Sequence, residues 1–566
     1  MRIAKRQGIA FVVCLLLAAG CSGGGGSKST SGTTSPSAKP GVNDINPTDR
    51  AAMADGGKLT WPIDTFPSNF NLGELDGALA DGAAVMGALM PGMFNFDAEA
   101  GPVVNTDYAA SATLSATQPK QVVTYKLNPK ATWDDGTPIT VADFEAQWKA
   151  LSGKDDRYRI ASSNGYEKIE SVAKGADDKE VVVTYASPFV DWQGLFSPLY
   201  PASTSKDPAV FNDGWKQKPL TTAGPFKLGN IDTTAQLITL VRNEKWWGRP
   251  TKLDSLVFRK IDRDAQPDAL ANGEIDFMGI GSDVNRLKRA EGTPGIAIRR
   301  SAAPNFNHMT LNGKSPILSD VNVRKALAQS IDREAIAKTL LGPLGVKTTP
   351  LGNHIYMTNQ KGYQDNSTEL PFDTAAAGKL LDDAGWKLAG DTRTKDGKPL
   401  TLRLPLPPSS TIGKQIAELC RAMTQKVGIK IEIQSVAGDD FFPKYVSTGD
   451  FDLVLFGWSG TPFPVTSAKS IYVAPQKKAD GSEEVQQNYA RVGSAEIDKL
   501  FDEGAATFDA AKQIEIGNQI DKLIWAEVHS LTFYQVPDIV AAKEKLANFG
   551  AFGFASTIYE DIGYKK

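Results

Sequence analysis

Gly449-Asp-Phe-Asp-Leu-Val-Leu-Phe-Gly-Trp-Ser-Gly-Thr-Pro-Phe-Pro464 is the stretch on which the fold turns. Phe451 to Phe456 is a short apolar run behind a turn-prone Gly-Asp, the pattern of a strand covered on both faces. After it, Gly457 and Gly460 let the backbone turn sharply, and Pro462 and Pro464 deny it a further ladder. This predicts a loop that leaves Trp458 and Phe463 at a strand's end. Upstream, Leu400, Leu402 and Leu404 alternate with Thr401 and Arg403 as a strand, and Ile412 to Val427 reads as a helix stopped by Gly428. Ile429, Ile431 and Ile433 alternate with Lys430, Glu432 and Gln434 as a second strand, followed by a helix over Asp439 to Val446. The order β-α-β-α-β predicts a parallel sheet, with a ligand crevice outside the carboxyl ends of its strands.

A second such unit lies earlier in the chain. Leu256 to Phe258, a helix from Asp264 to Ala271 ended by Asn272-Gly273, and Ile275 to Ile280 give β-α-β again. Two well-separated units imply two α/β lobes. Between the leader and this unit, Val122 to Leu127 and Val181 to Tyr185 read as strands. Trp133 to Pro138 is a turn built on Asp135-Gly136, and Thr140-Val-Ala-Asp143 opens a helix through Leu151. Further on, Asp320, Asp332 and Asp373 cap three helices. Helices near Ala495 to Glu503 and Asp509 to Ala526 precede a last strand, Leu531 to Val536.

A chain of 566 residues is too long for one core. Its 41% hydrophobic and 22% charged residues are those of a globular protein, and a formal charge of -3 without basic runs argues against a nucleic-acid partner. Met1 to Gly8 is a basic head and Ile9 to Ala19 an apolar run too short to span a bilayer, which together read as an export leader. Leu17-Ala-Ala-Gly-Cys21 resembles the lipobox of bacterial lipoproteins, with Ala18 where Leu, Val or Ile is usual; the resemblance implies lipidation of Cys21. Residues 22 to about 50 carry too little apolar surface to fold and read as a tether reaching on the order of 30 Å. Cys420 then remains as a core residue without a disulfide partner.

Seven short motifs, in order over residues 121 to 458, resemble family 5 of the extracellular solute-binding proteins, which serve ATP-driven importers. They are Tyr125-Lys-Leu127 with Asp135-Gly-Thr-Pro-Ile-Thr-Val-Ala-Asp143, Thr222-Ala-Gly-Pro-Phe226, Arg242-Asn-Glu-Lys-Trp-Trp247, Gly273-Glu-Ile-Asp276, Val323-Arg-Lys-Ala326 with Ile331-Asp-Arg333, Leu380-Leu-Asp-Asp-Ala-Gly385, and Gly449-Asp-Phe-Asp452 with Gly457-Trp458. The resemblance implies an α/β fold of the class II periplasmic-binding type, two hinged α/β lobes with an extra domain inserted in the first. The implied layout is a signal peptide over 1–20 and a tether over 21–50. Lobe I is built from 51–95, 221–305 and 533–566, the inserted domain from 96–220, and lobe II from 306–532, with crossing segments near 300–310 and 530–537. The Gly-Thr-Pro-Phe-Pro loop and Trp246-Trp247 are similar to the actinobacterial branch that includes LpqW, a lipoprotein linked to cell-envelope glycolipid synthesis.

The function implied is that of an importer's substrate-binding lipoprotein on the outer face of the cytoplasmic membrane. It would be monomeric, anchored by lipid on Cys21, and would present a small solute to a permease. The alternatives are an LpqW-like regulator without transport and, more remotely, an exported hydrolase. Against the hydrolase, His308, His354 and His529 are far apart in sequence, form no His-Glu-x-x-His motif, and call for no metal or cofactor. Candidate ligand contacts are Trp458 and Phe463 as apolar walls and Ser459 and Thr461 as polar ones. Phe94, Thr222 and Gly224 are candidates on the facing side, and Asn307 at the crossover. The loop after Gly457-Trp458 carries no acid before Asp480, so a ligand ammonium would lack a counter-charge from it, at a cost of several kcal/mol.

Overall fold

The computed structural model describes residues 43–477 and 483–566. The leader, Cys21 and the tether up to residue 42 lie outside them, whereas residues 43–50, read as the end of the tether, pack on the body, Asp44 exchanging backbone hydrogen bonds with Ala551 at 2.9 Å. The first sheet carries strands β1 (Lys58–Ile63), β8 (Phe226–Asp232), β9 (Leu237–Arg242) and β10 (Ser255–Lys260) in the order β1-β10-β9-β8, with β1 parallel to β10 and the other pairs antiparallel. Alternation fixes which face is buried: Leu59 and Ile63, Ile238 and Leu240, Leu256 and Phe258 all point into one core. Helix α1 (Ala80–Gly87) follows β1, and a short hairpin, β2 (Phe94–Phe96) with β3 (Pro102–Val104), leads into a second sheet.

That sheet is wholly antiparallel. Its strands β4 (Ala109–Ala116), β5 (Val122–Leu127), β6 (Ile169–Lys174) and β7 (Glu180–Tyr185) lie in the order β4-β5-β7-β6. Val123, Tyr125, Val181, Val183 and Tyr185 face its helix, α2 (Val141–Leu151), whose start is a capping box between Thr140 and Asp143. Gly136 holds φ +91 in the preceding turn, where the Asp135 carboxylate accepts the Thr137 N–H at 2.9 Å. The apolar side chains of both sheets merge into one core that also takes in Phe549, Tyr559 and Ile562.

The second core starts earlier than the lobe boundary read from sequence. Ala269 and Leu270 of α3 (Gln266–Ala271), then Ile275, Met278 and Ile280, pack into it, as does Leu287 of α4 (Val284–Glu291). This corrects the first β-α-β expectation: β11 (Phe277–Gly279) does not join β10 but pairs antiparallel in another sheet. Its link to β1 is Asp276, whose N–H donates to the Thr60 carbonyl at 3.1 Å while its carboxylate accepts the Thr60 N–H at 2.5 Å.

Two long strands run the length of that other sheet. β12 (Ile296–Leu311) pairs with the last one, Ser530–Lys543, from Ile296 opposite Lys543 to Thr310 opposite Ser530. The register breaks between Ala302 and Phe306 and again between Asn307 and His308. The predicted crossing segments fall within these two strands, 300–310 in the later part of β12 and 530–537 in the first half of Ser530–Lys543. Helices α5 (Val321–Gln329), α6 (Arg333–Leu341) and α7 (Thr374–Asp383) follow, with Asp320, Asp332 and Asp373 accepting first-turn N–H groups as expected.

Next come β13 (Thr401–Leu406), α8 (Thr411–Thr424) with its buried Cys420, and β14 (Lys430–Ser435), parallel to β13. The third strand departs from the parallel expectation. β15 (Leu453–Ser459) lies antiparallel to β12, Leu453 opposite Leu311 and Ser459 opposite Asn305. Its foot is bonded to β13, where Asp452 donates its N–H to the Arg403 carbonyl at 3.2 Å. After β15 come three helices, α9 (Pro464–Tyr472), α10 (Ala495–Ala506) and α11 (Ala510–Glu527), and then β16, the Ser530–Lys543 strand already described. Their apolar faces form a smaller third core around Ile355, Val465, Phe501 and Ile520.

Candidate functional site

A cavity of about 360 Å³ lies between the segment after β7 and the loop after β15, within the size range of small-ligand sites. The loop is held from several sides. β15 continues past Gly457 and Trp458, the latter opposite Phe306, before the chain turns. Gly460 donates its N–H to the Pro304 carbonyl at 2.7 Å, and a Cβ there would stand 2.9 Å from that carbonyl oxygen, so the turn needs glycine. Gln360 donates to the Thr461 carbonyl at 2.8 Å, and Thr461 Oγ1 donates to Ser467 Oγ at 2.9 Å while accepting the Phe463 N–H at 3.0 Å. Pro464 does not merely end a ladder; it opens α9, where its missing N–H costs nothing.

The facing wall is tied down as firmly. Gln121 brackets Phe189, accepting its N–H at 2.6 Å and donating to its carbonyl at 2.8 Å. Gln147 of α2 donates to the Pro198 carbonyl at 3.0 Å, and Ser197 Oγ accepts the Met93 N–H at 2.9 Å. Between these anchors the chain presents Asp191 and Gly194. The Phe463 ring sits against Gly194, where a Cβ would be 2.7 Å from it, and stands edge-on to Phe96 at 5.7 Å. Thr466, in the first turn of α9, donates its hydroxyl to Asp191 Oδ2. Asp191 is 8% exposed, and burial pushes its carboxyl up to about 7.

Of the residues singled out from sequence, Thr461 and Phe463 line this cavity. The others are placed beside it or away from it. Trp458 is half-buried in an aromatic group, parallel to Tyr489 at 6.1 Å and to His308 at 5.9 Å, and edge-on to Phe456 at 5.1 Å. Ser459 is exposed at the strand's end, and Asn307 sits in β12 opposite Gly457. Phe94 is buried edge-on to Trp192 at 5.5 Å and so backs the residue next to Asp191. Thr222 is buried elsewhere, its hydroxyl donated to Asp134 at 2.9 Å. Gly224 packs against the Ala88–Leu89 backbone, where a Cβ would be 2.3 Å from the Ala88 oxygen. Sequence reasoning missed Asp191, Gly194, Thr466 and Ser467. The available signal was Phe189-Val-Asp-Trp192, an acid inside an apolar run.

Trp246 and Trp247 lie 4.5 Å apart, both half-buried against Tyr108, each indole N–H donated to a backbone carbonyl. The histidines, distant in sequence, are all buried: His308 among Phe456 and Trp458, His354 against Trp525 and His529 against Tyr472. His354 bonds Asp521 at 2.8 Å, and His529 bonds Asn488 at 3.0 Å. Burial drives His308 down to about 3, which keeps it neutral. None of the three lines the cavity.

The family model for bacterial extracellular solute-binding proteins, family 5 (middle region), matches residues 105–480. The chain belongs to this family. Among family members, the oligopeptide-binding protein OppA of Mycobacterium tuberculosis is 40% identical over 98% of this chain and 93% of its own. LpqW of the same organism, described as a probable monoacyl phosphatidylinositol tetramannoside-binding protein, is 30% identical over 48% of this chain and 42% of its own. Among solved structures, the periplasmic EDTA-binding protein EppA superposes with a TM-score of 0.84 at 28% identity, over 94% of this chain and all of that one. The family 5 fold is shared with AppA of Bacillus subtilis, solved with a nonapeptide, at a TM-score of 0.70 and 20% identity over 91% of this chain and 100% of that chain.

Proposed function

We propose that this chain captures a peptide-like solute between the Asp191–Gly194 wall and the Thr461–Ser467 loop and presents it to the membrane permease of an ATP-driven importer. In this reading the body is held at the outer face of the cytoplasmic membrane by a lipid on Cys21 and acts as a monomer. The two lobes, with residues 96–220 inserted in the first, part and close about β12 and β16. With the walls apart the cleft is wet. A solute touching both walls stabilises the closed state by the contacts it gains there, and closure becomes a shape that a permease can read. Thr461 and Phe463 contact the solute, with Trp458 and Ser459 at the rim. No bond is made or broken, so binding energy alone does the work.

The observation that carries this reading is the near full-length likeness to a protein named for oligopeptide binding, together with a cavity walled on one side by the first core and on the other by the loop and helix that lead into the third. The test is mass spectrometry of solutes that co-purify with the full chain. Peptides are the expected finding. Recovery of a mannosylated lipid and no peptide would favour the LpqW-like alternative.

A further inference from the structure

The cavity is neutral at every point but one. Among the described residues that line it, Asp191 is the only one with a charged side chain; the rest are apolar, amide, hydroxyl or glycine. Its carboxyl is compensated poorly for so buried a group. Oδ2 takes the Thr466 hydroxyl, no donor among the described residues reaches Oδ1, and burial alone accounts for the rise in its proton affinity. A buried carboxylate with one neutral donor and no cation is costly, and it becomes favourable only when a positive group arrives with its own N–H donors.

The surrounding frame is built to hold this carboxyl in place rather than to bury it away. Gly194 donates its N–H back to the Asp191 carbonyl at 2.9 Å, Trp192 beside it is locked edge-on to Phe94 and Tyr125, and Thr466 meets it from the opposite wall. Asp191 therefore sits where the two walls touch, at the edge of the space a solute would fill.

We infer that Asp191 is the cation-recognition residue of the cleft, pairing with the primary ammonium of a solute whose end inserts between Asp191 and Thr466. The inference rests on the peptide reading and sharpens it: the ammonium is the free N-terminus of the peptide. The counter-charge missing from the loop after Trp458 comes instead from the inserted segment, across the cleft. Thr466 is a positioning residue that holds the carboxylate until the ligand displaces or shares its hydroxyl.

The test is calorimetric titration of the full chain with a mixed library of short peptides carrying free N-termini and with the same library N-acetylated. The free library is expected to bind at least ten times more tightly. Asp191→Asn, which keeps shape and removes charge, is expected to erase that preference, so that the free library binds this variant no more tightly than the acetylated one does. Thr466→Val is expected to retain the preference. Equal binding of the two libraries by the wild type, or a preference that survives in Asp191→Asn, overturns the assignment and leaves peptide capture standing. Failure of the wild type to bind either library overturns both.

Discussion

Gly194 leaves the Phe463 ring no room to spare. A valine there places its Cβ within 2.7 Å of the ring, and overpacking of this kind costs about 1–3 kcal/mol. Here the cost falls on the contact between walls rather than on either core. Gly194→Val is expected to weaken solute binding at least tenfold by calorimetry while leaving the thermal midpoint nearly unchanged. The same contact shows what one chain discloses at this scale. Thr461 and Phe463 were legible because glycine and proline punctuate an apolar run, a purely local signal. Asp191 was not, because its burial and its bond depend on Thr466, 275 positions further on. Thr222 and Gly224 misdirected the reading for the same reason: a Thr-x-Gly turn looks alike whether it faces a cleft or, as here, an Asp134 carboxylate and the Ala88 backbone.

At the scale of elements, the Gly449–Asp452 motif that resembles the family proves to be a joint. The Asp452 carboxylate, on a residue 6% exposed, accepts the Ser315 hydroxyl at 2.6 Å and the Arg403 N–H at 2.8 Å, stitching β13 to the foot of β15. Asn312 donates to the Gly449 carbonyl at 3.0 Å and the Phe451 carbonyl at 2.8 Å beside it. Asp452→Ala strands these donors and is expected to cost about 2–4 kcal/mol in urea denaturation, with solute specificity unchanged. Helices and caps were read well, since Asp320, Asp332 and Asp373 act on N–H groups within one turn of themselves. Strand pairing was read less well. β11 and β15 look like parallel strands from their order, but both are claimed by the long β12–β16 ladder, whose partners lie far away in the chain.

For the whole molecule, the cleft motion proposed above carries a pH dependence through the same carboxyl. Burial where the walls meet raises the Asp191 carboxyl from its ordinary 3.8 to about 7, and a cleft that opened and let water in would release that shift. Between these values the closed state binds more protons, so its stability is present at low pH and is lost as pH rises from about 4 to about 7, by up to roughly tenfold per pH unit in the closed-to-open ratio. Tyr356, the neighbouring titratable group that feels Asp191, is pushed upward by burial and stays neutral across this window. The ligand-free protein is therefore expected to sediment more slowly as pH is raised through that range. Asp191→Asn should flatten the profile.

The account depends on two walls that approach one another around a solute. Small-angle X-ray scattering at pH 7.5, with and without a peptide already shown to bind, measures that approach directly. A fall in radius of gyration on binding is the predicted result; an unchanged radius at saturating peptide would contradict it.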